Sequence, residues 1–249
     1  MNPRERAVLN LDDSPSYFCI ATQTWSPTLP SAELALEEPN GLVAMGGSLA
    51  PAALLAAYRH GIFPWYCAGQ PTLWWSPNPR AVLRPEEFHV SRSLRRCLRR
   101  PWRITLDVDF AQVLQACAVP RSHEAGTWLS AEMQAAYLEL HRAGHAHSLE
   151  CWLDDHLVGG IYGVAIGQLF FGESMFSRIN NGSKVALYAL CRRLVAWGYH
   201  LLDCQVPNPH LVSLGMTLLS RDQFTLALDY GDAKPSTEAW FEPSSPARP

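Results

Sequence analysis

Apolar residues recur along this chain at two spacings, and the change from one to the other marks predicted strands and helices. In HLLDCQV, residues 200 to 206, a period of two puts Asp203 and Gln205 on one side of a strand and Leu202, Cys204 and Val206 on the other. QLFFGESMF, from 168, reads as a second strand. Between them Val185, Leu187, Leu190, Leu194 and Val195 form an apolar surface at helical spacing, with Ser183 as the expected N-cap and Gly198 at the end. Strand, helix, strand predicts parallel pairing through a right-handed crossover. A phosphate could be held where this helix begins, at Gly182 and Ser183, although an ordinary capped helix is the simpler reading.

The rest of the pattern fills in around that unit. Residues 1 to 36, rich in Pro, Ser and Thr, hold one short strand near Tyr17 and are expected to wrap over a neighbouring surface. Ser48 is placed to cap a helix with Pro51 in its first turn, running through Leu54, Leu55 and Tyr58 to a stop at Gly61. A proline-punctuated loop follows with Trp65, Trp74 and Trp75, which either make a small core or line a pocket. Beyond it WRITLDVD predicts a strand, FAQVLQACA and SAEMQAAYLELHRAG two helices, and HSLECWL, HLVGGIYGVAI and QLFFGESMF a three-stranded meander turning at Asp154-Asp155 and Gly167. TLLSRDQFTLAL reads as a closing strand or helix, and PSSPARP as a loose tail. The expected class is α+β, with a boundary near Arg80 separating a small N-terminal domain, 1–79, from a larger one, 80–249.

Composition narrows the partners. At 249 residues and 48% hydrophobic the chain can bury a core, and nowhere does it run some 18 apolar residues without a break. No membrane span or signal peptide is expected. Seven scattered cysteines, odd in number and never spaced as CxxC, point to reduced thiols in a cytoplasmic protein. His141, His145 and His147 are interrupted by Gly144, so no metal is expected, since a zinc site needs three converging ligands.

The net charge of -3 hides a concentration of arginine. In SRSLRRCLRR, Arg92, Arg95, Arg96, Arg99 and Arg100 recur at helical spacing opposite Leu94, Cys97 and Leu98, on a helix capped by Ser91. Such a stripe is most often a solvated face, but five arginines with no acid among them repel one another unless a polyanion meets them. Nucleic acid fits better than membrane, because no bulky exposed apolar face accompanies the charge. Asp203 and Gln205 are the second candidate: a carboxylate and a carboxamide aligned on one strand face can orient an amine or polarise a carbonyl, or can merely cap a loop.

Nine segments, NGLVAMGG, YRHGIFPWY, LWWSPNPRAVL, SRSLRR, EAGTWLSAEM, YLELHRAGHAHSLECW, LVGGIYGV, FFGESMFSR and LLDCQV, together resemble the leucyl/phenylalanyl-tRNA–protein transferase family, from Asn40 to about Phe224. The resemblance implies a bacterial cytoplasmic enzyme that moves leucine or phenylalanine, with methionine a further candidate, from aminoacyl-tRNA to proteins bearing N-terminal Arg or Lys, marking them for N-degron degradation. It implies a GCN5-related acetyltransferase-like domain beside a smaller N-terminal α/β domain, without that superfamily's coenzyme A loop, no cofactor, and a monomer by default. It places Tyr58, Trp65, Trp128, Tyr137, Ile161 and Phe170 around a pocket for the transferred side chain, with Ile161 where the family often has methionine. The basic helix would hold tRNA phosphates. Asp203 would orient Gln205, Gln205 would hold the attacking amine or the oxyanion, and Glu173 would bind the cationic acceptor. A coenzyme A-dependent acyltransferase and a non-catalytic RNA-binding protein are the alternatives.

Overall fold

A computed structural model describes residues 16–67, 69–119, 129–232 and 240. The chain opens with a hairpin of β1 (Tyr17–Cys19) and β2 (Thr24–Ser26), followed by β3 (Leu42–Gly46), α1 (Pro51–Arg59), β4 (Phe63–Pro64) and β5 (Leu73–Trp75). These strands form one antiparallel sheet in the order β2-β1-β3-β5-β4. The tryptophan-rich stretch is thus sheet as well as loop. Trp74 is fully buried and its indole N–H donates to the Gly46 carbonyl at 2.7 Å.

From Arg80 the chain enters a second sheet. Its elements are β6 (Arg80–Leu83), α2 (Arg92–Cys97), β7 (Arg103–Leu106), α3 (Phe110–Ala118), α4 (Ala131–Arg142), β8 (Ala146–Leu153), β9 (His156–Ile166), β10 (Leu169–Ser177), α5 (Gly182–Ala196), β11 (Leu201–Gln205), α6 (Pro209–Val212), β12 (Thr217–Leu219) and α7 (Arg221–Asp232). The seven strands lie in the order β12-β6-β11-β10-β9-β8-β7. All neighbours are antiparallel except β10 and β11, the parallel pair that the crossover helix predicts. The mixed α+β class holds, and the closing segment is a strand followed by a helix.

Alternation along the strands gives each face of this sheet its own core. Tyr162, Val164, Leu169 and Phe171 join Tyr58, Phe110, Val113, Met133 and Tyr137 on the face covered by α1, α3 and α4. Ile161, Ala165, Phe170 and Leu202 join Val185, Ala186, Leu190 and Leu194 of α5 on the other. Helix α5 lies close against the sheet because two glycines meet: a Cβ on Gly182 would stand 2.7 Å from the Val158 carbonyl oxygen, and one on Gly159 2.6 Å from the Gly182 carbonyl carbon.

Two helix starts differ from expectation. The N-cap of α5 is Asn181, in the left-handed region at φ 66°, and the Ser183 N–H donates to the hydroxyl of Ser177 at 3.2 Å. The helix is therefore capped two residues before the expected position. Likewise α1 starts after Ala50, whose N–H donates to Ser48 Oγ at 3.0 Å in the turn before the helix. The basic segment is also shorter than expected as a helix. Ser91 does cap α2, its Oγ accepting from the Leu94 N–H at 3.2 Å, but α2 ends at Cys97, so Arg99 and Arg100 lie in the turns that follow. All five arginines are exposed.

Among the described residues no three metal-ligating side chains converge, and no helix is long and apolar enough to cross a membrane. Of the three histidines considered as ligands, His141 bonds the Ala146 carbonyl oxygen at 2.8 Å with Asp107 3.9 Å away, and His147 bonds Asp107 at 2.7 Å.

Candidate active site

The polar centre forms where the two parallel strands part. Pairing of β10 with β11 ends at Phe171 opposite Asp203. Each strand is then irregular: β10 shifts register against β9 between Gly172 and Ser174, at Glu173, and β11 shifts against β6 between Asp203 and Gln205. Gln205 takes the left-handed conformation, φ 59°. Bulges re-aim side chains, and here both aim at the same space: Gln205 Nε2 donates to Glu173 Oε1 at 3.3 Å.

Glu173 is held from the helical side as well. The Tyr58 hydroxyl donates to its Oε1 at 2.8 Å and the Tyr137 hydroxyl to its Oε2 at 2.6 Å, while the two phenol oxygens are themselves 2.8 Å apart. Burial pushes the Glu173 carboxyl up to about 7; the phenol donors and Arg80 pull the other way, and the nearby charge of Asp203 adds to the rise. Burial and the Glu173 charge together hold both phenols well above their ordinary value, so they stay protonated donors.

Asp203 has a different environment although it is the next acid across. It is fully buried and takes a two-pronged bond from Arg80, Nε to Oδ1 at 2.8 Å and Nη2 to Oδ2 at 2.7 Å. Arg80 is 1% exposed, donates through Nη1 to the Gly61 carbonyl at 3.0 Å, and lies between the rings of Phe63 and Phe224 at 4.8 and 4.6 Å. Asp203 Oδ1 also accepts the main-chain N–H of Gln205 at 3.0 Å. The acid therefore fixes the backbone of Gln205, and the guanidinium fixes the acid. A carboxylate and carboxamide so held, beside a carboxylate poised near neutrality, can bind an amine, accept its proton and steady a developing oxyanion.

Residues 82–229 match the family described as Leucyl/phenylalanyl-tRNA protein transferase, and residues 47–78 match its N-terminal domain. A relative so named from Pseudomonas syringae pv. syringae is 54% identical over 222 residues, covering 87% of this chain and 97% of its own. One from Azotobacter vinelandii is 55% identical over 217 residues, covering 87% and 96%. The chain belongs to the leucyl/phenylalanyl-tRNA–protein transferase family. Among solved structures, L-PGS from Bacillus licheniformis aligns over 74% of this chain and 59% of its own at 10% identity, with a TM-score of 0.36, too low to establish a common fold.

In this transferase-family chain the structure brings together Tyr58, Tyr137, Glu173, Asp203 and Gln205. Ile161 and Phe170 are not on the same wall: they face α5, with Phe170 stacked on Trp240 at 5.6 Å, because adjacent strand residues point to opposite faces. The rings that do adjoin Tyr58 and Tyr137 are their successors in sequence, Phe171 at 5.1 Å from Tyr58 and Tyr162 at 5.3 Å from Tyr137. Trp65 is 45% exposed beside β4, its ring 5.9 Å from that of Trp75. Trp128 lies outside the described residues. Arg80 escaped the sequence reading; its one signal is an arginine at the head of the apolar strand RAVL, where only a buried partner explains it.

Proposed function

We propose that this chain transfers leucine or phenylalanine, with methionine a further candidate, from aminoacyl-tRNA to the α-amine of proteins with N-terminal Arg or Lys. Family membership supports the reaction class, and the single observation that carries it at atomic level is the Glu173, Gln205 and Asp203 cluster at the parting of β10 and β11. An aminoacyl ester is already activated, so positioning supplies most of the rate and no cofactor is needed. Gln205, its Nε2 on Glu173, presents its carbonyl oxygen to an amine N–H, and Asp203 sets the strand conformation that aims it. Glu173 receives the cationic N-terminus.

The transferred side chain enters the notch between the strands. Tyr58, Tyr137, Phe171 and Tyr162 wall it on the face of the sheet away from α5, with Trp65 at its approach. Rigid walls of this kind accept Phe and Leu and meet a β-branched side chain poorly. Arg92, Arg95, Arg96, Arg99 and Arg100 contact phosphates near the acceptor end. The fold reading that accompanies this is acetyltransferase-like, supported by a mostly antiparallel sheet with one parallel pair whose ends diverge. The same reading assigns 1–79 and 80–249 to separate domains of a monomeric, cytoplasmic enzyme.

The test is transfer of labelled phenylalanine from charged tRNA to peptides differing only in an N-terminal Arg, Lys or Ala, without coenzyme A or ATP. Label on the Arg and Lys peptides and not on Ala is the expected result. Tight binding of charged tRNA with no label on any peptide would leave an RNA-binding protein, and a requirement for coenzyme A would indicate an acyltransferase of the other kind.

A further inference from the structure

We infer that Glu173 is the proton acceptor of the transfer reaction and that Tyr58 and Tyr137 form, with it, a cyclic relay with room for one more proton. The inference rests on the transferase reading above and concerns where the proton goes.

Three close oxygen–oxygen approaches, Tyr58 to Tyr137, Tyr58 to Glu173 and Tyr137 to Glu173, form a closed triangle of hydrogen-bonding length. With Glu173 ionised there are two phenolic protons for three sides, so one pair of oxygens faces each other without a proton. With Glu173 protonated there are three protons for three sides, and each group donates once and accepts once around the ring. The geometry thus suits both states and is completed by uptake of a proton.

The reaction leaves one proton to place. An N-terminal ammonium has three N–H bonds and the amide product has one. As the N–C bond forms and the ester C–O bond breaks, one of the two released protons goes to the departing ribose oxygen, which leaves as a hydroxyl. The other needs an acceptor. Gln205 is a poor one because a carboxamide is scarcely basic, and Asp203 is held by a guanidinium. Glu173 is left, bonded to the Gln205 amide that would hold the amine. The groups facing it are Tyr58 on α1, Tyr137 on α4, Tyr162 on β9, Asp203 and Gln205 on β11 and Arg80 on β6. Burial, the largest of these influences, brings its carboxyl to about 7, close to the working pH at which a general base is most effective.

The pH dependence of kcat tests this with saturating charged tRNA and an Arg-peptide acceptor. The parent enzyme should lose activity with one proton taken up near pH 7. Tyr58→Phe and Tyr137→Phe each remove a donor to the carboxylate, so both should move that limb to higher pH. Glu173→Gln should abolish the limb and lower kcat by about a hundredfold or more. A limb that follows the ionisation of the acceptor amine across a peptide series and is unmoved by either tyrosine substitution would overturn the proposal. So would Glu173→Gln turning over within about threefold of the parent, the mark of a binding role alone. A parent enzyme that labels no peptide would instead sink the transferase reading.

Discussion

Two glutamates on the central sheet, Glu150 of β8 and Glu173 of β10, are both enclosed by the fold, held by hydroxyl donors and raised above the ordinary carboxyl range by burial. Glu150 accepts from Thr105 Oγ1 at 2.5 Å and from Ser148 Oγ at 2.6 Å, and the Thr105 hydroxyl accepts in turn from the Trp152 indole at 2.8 Å. It is fully buried and paired on both sides, with Thr105 of β7 and Gly160 of β9, the irregularity between β8 and β9 falling after it at Cys151 and Trp152. Glu173 sits at a bulge, part-exposed, where two parallel strands separate, and a carboxamide from the neighbouring strand reaches it. The chemistry of the two acids is alike; the topology around them is not. A hydrogen-bonded buried acid is a structural member when the ladder closes over it, and a candidate site when the ladder opens beside it.

The largest expected effect separates the two directly. Glu173→Gln should cost about 10²–10⁴-fold in turnover while leaving the fold more stable at high pH. The sign follows from its raised carboxyl. Below pH 4.5 the group is protonated in both folded and unfolded chains and changes nothing; between 4.5 and about 7 the unfolded chain releases its proton first, so stability falls, and above 7 the loss is constant. That loss amounts to roughly 3–4 kcal/mol. Thermal unfolding of parent and variant at pH 4, 6 and 8 checks it: the gap should widen in favour of the variant as pH rises. A variant that is both inactive and less stable at pH 8 would make Glu173 structural, like Glu150.

Next in size is the buried ion pair. Arg80→Met leaves Asp203 unpaired in the core and should cost about 3–5 kcal/mol, whereas Arg80→Met with Asp203→Leu should recover much of that. Activity should not recover in the double variant, because the Gln205 main chain loses the acceptor that fixes it. Denaturant unfolding and transfer assays on the two variants separate the pair's part in folding from its part in aiming Gln205. Recovery of both together would remove Asp203 from the site.

Charge left in water offers a third case. Arg95→Ala and Arg96→Ala remove exposed groups, so unfolding should shift by no more than about 0.5 kcal/mol. Charged-tRNA binding should weaken, with the salt dependence falling by about one unit of slope for each phosphate that the variant no longer neutralises. An unchanged slope would return the arginines to the role of a solvated face.

These differences also explain what could be read from residues alone. Strand alternation and helix period locate the meander, the crossover and its parallel pair, and α3 almost to the residue, since those signals are local. Ser183 is not the cap that the pattern suggests, because the start of α5 has a left-handed Asn181 and a close approach of Gly182 to Gly159, which is tertiary, and Ser48 instead bonds the Ala50 N–H in the turn before α1. The partner of Arg80 lies 123 residues away, beyond any local pattern. Asp203 and Gln205 lie two apart on one strand, but what brings Gln205 to Glu173 is a bulge in each strand, and period two carries no sign of a bulge. Phe170 and Phe171 show the reverse: alternation already states that only one of two neighbours can join Tyr58, and it is the second.

The smallest expected effect is the one most able to break the contrast between the two glutamates. Glu150→Gln keeps the shape of the side chain but offers one carbonyl oxygen in place of two carboxylate oxygens, so Thr105 and Ser148 can no longer both donate as they do now. Against the loss of one such bond stands relief of a charge that burial disfavours, and the two offset each other to within about 1 kcal/mol. Transfer rate and its pH profile should match the parent, since no bond of this cluster reaches Glu173. If Glu150→Gln instead shifted the acid limb of kcat, proton uptake would be spread across the sheet, and the parting of β10 and β11 would no longer be what distinguishes one glutamate from the other.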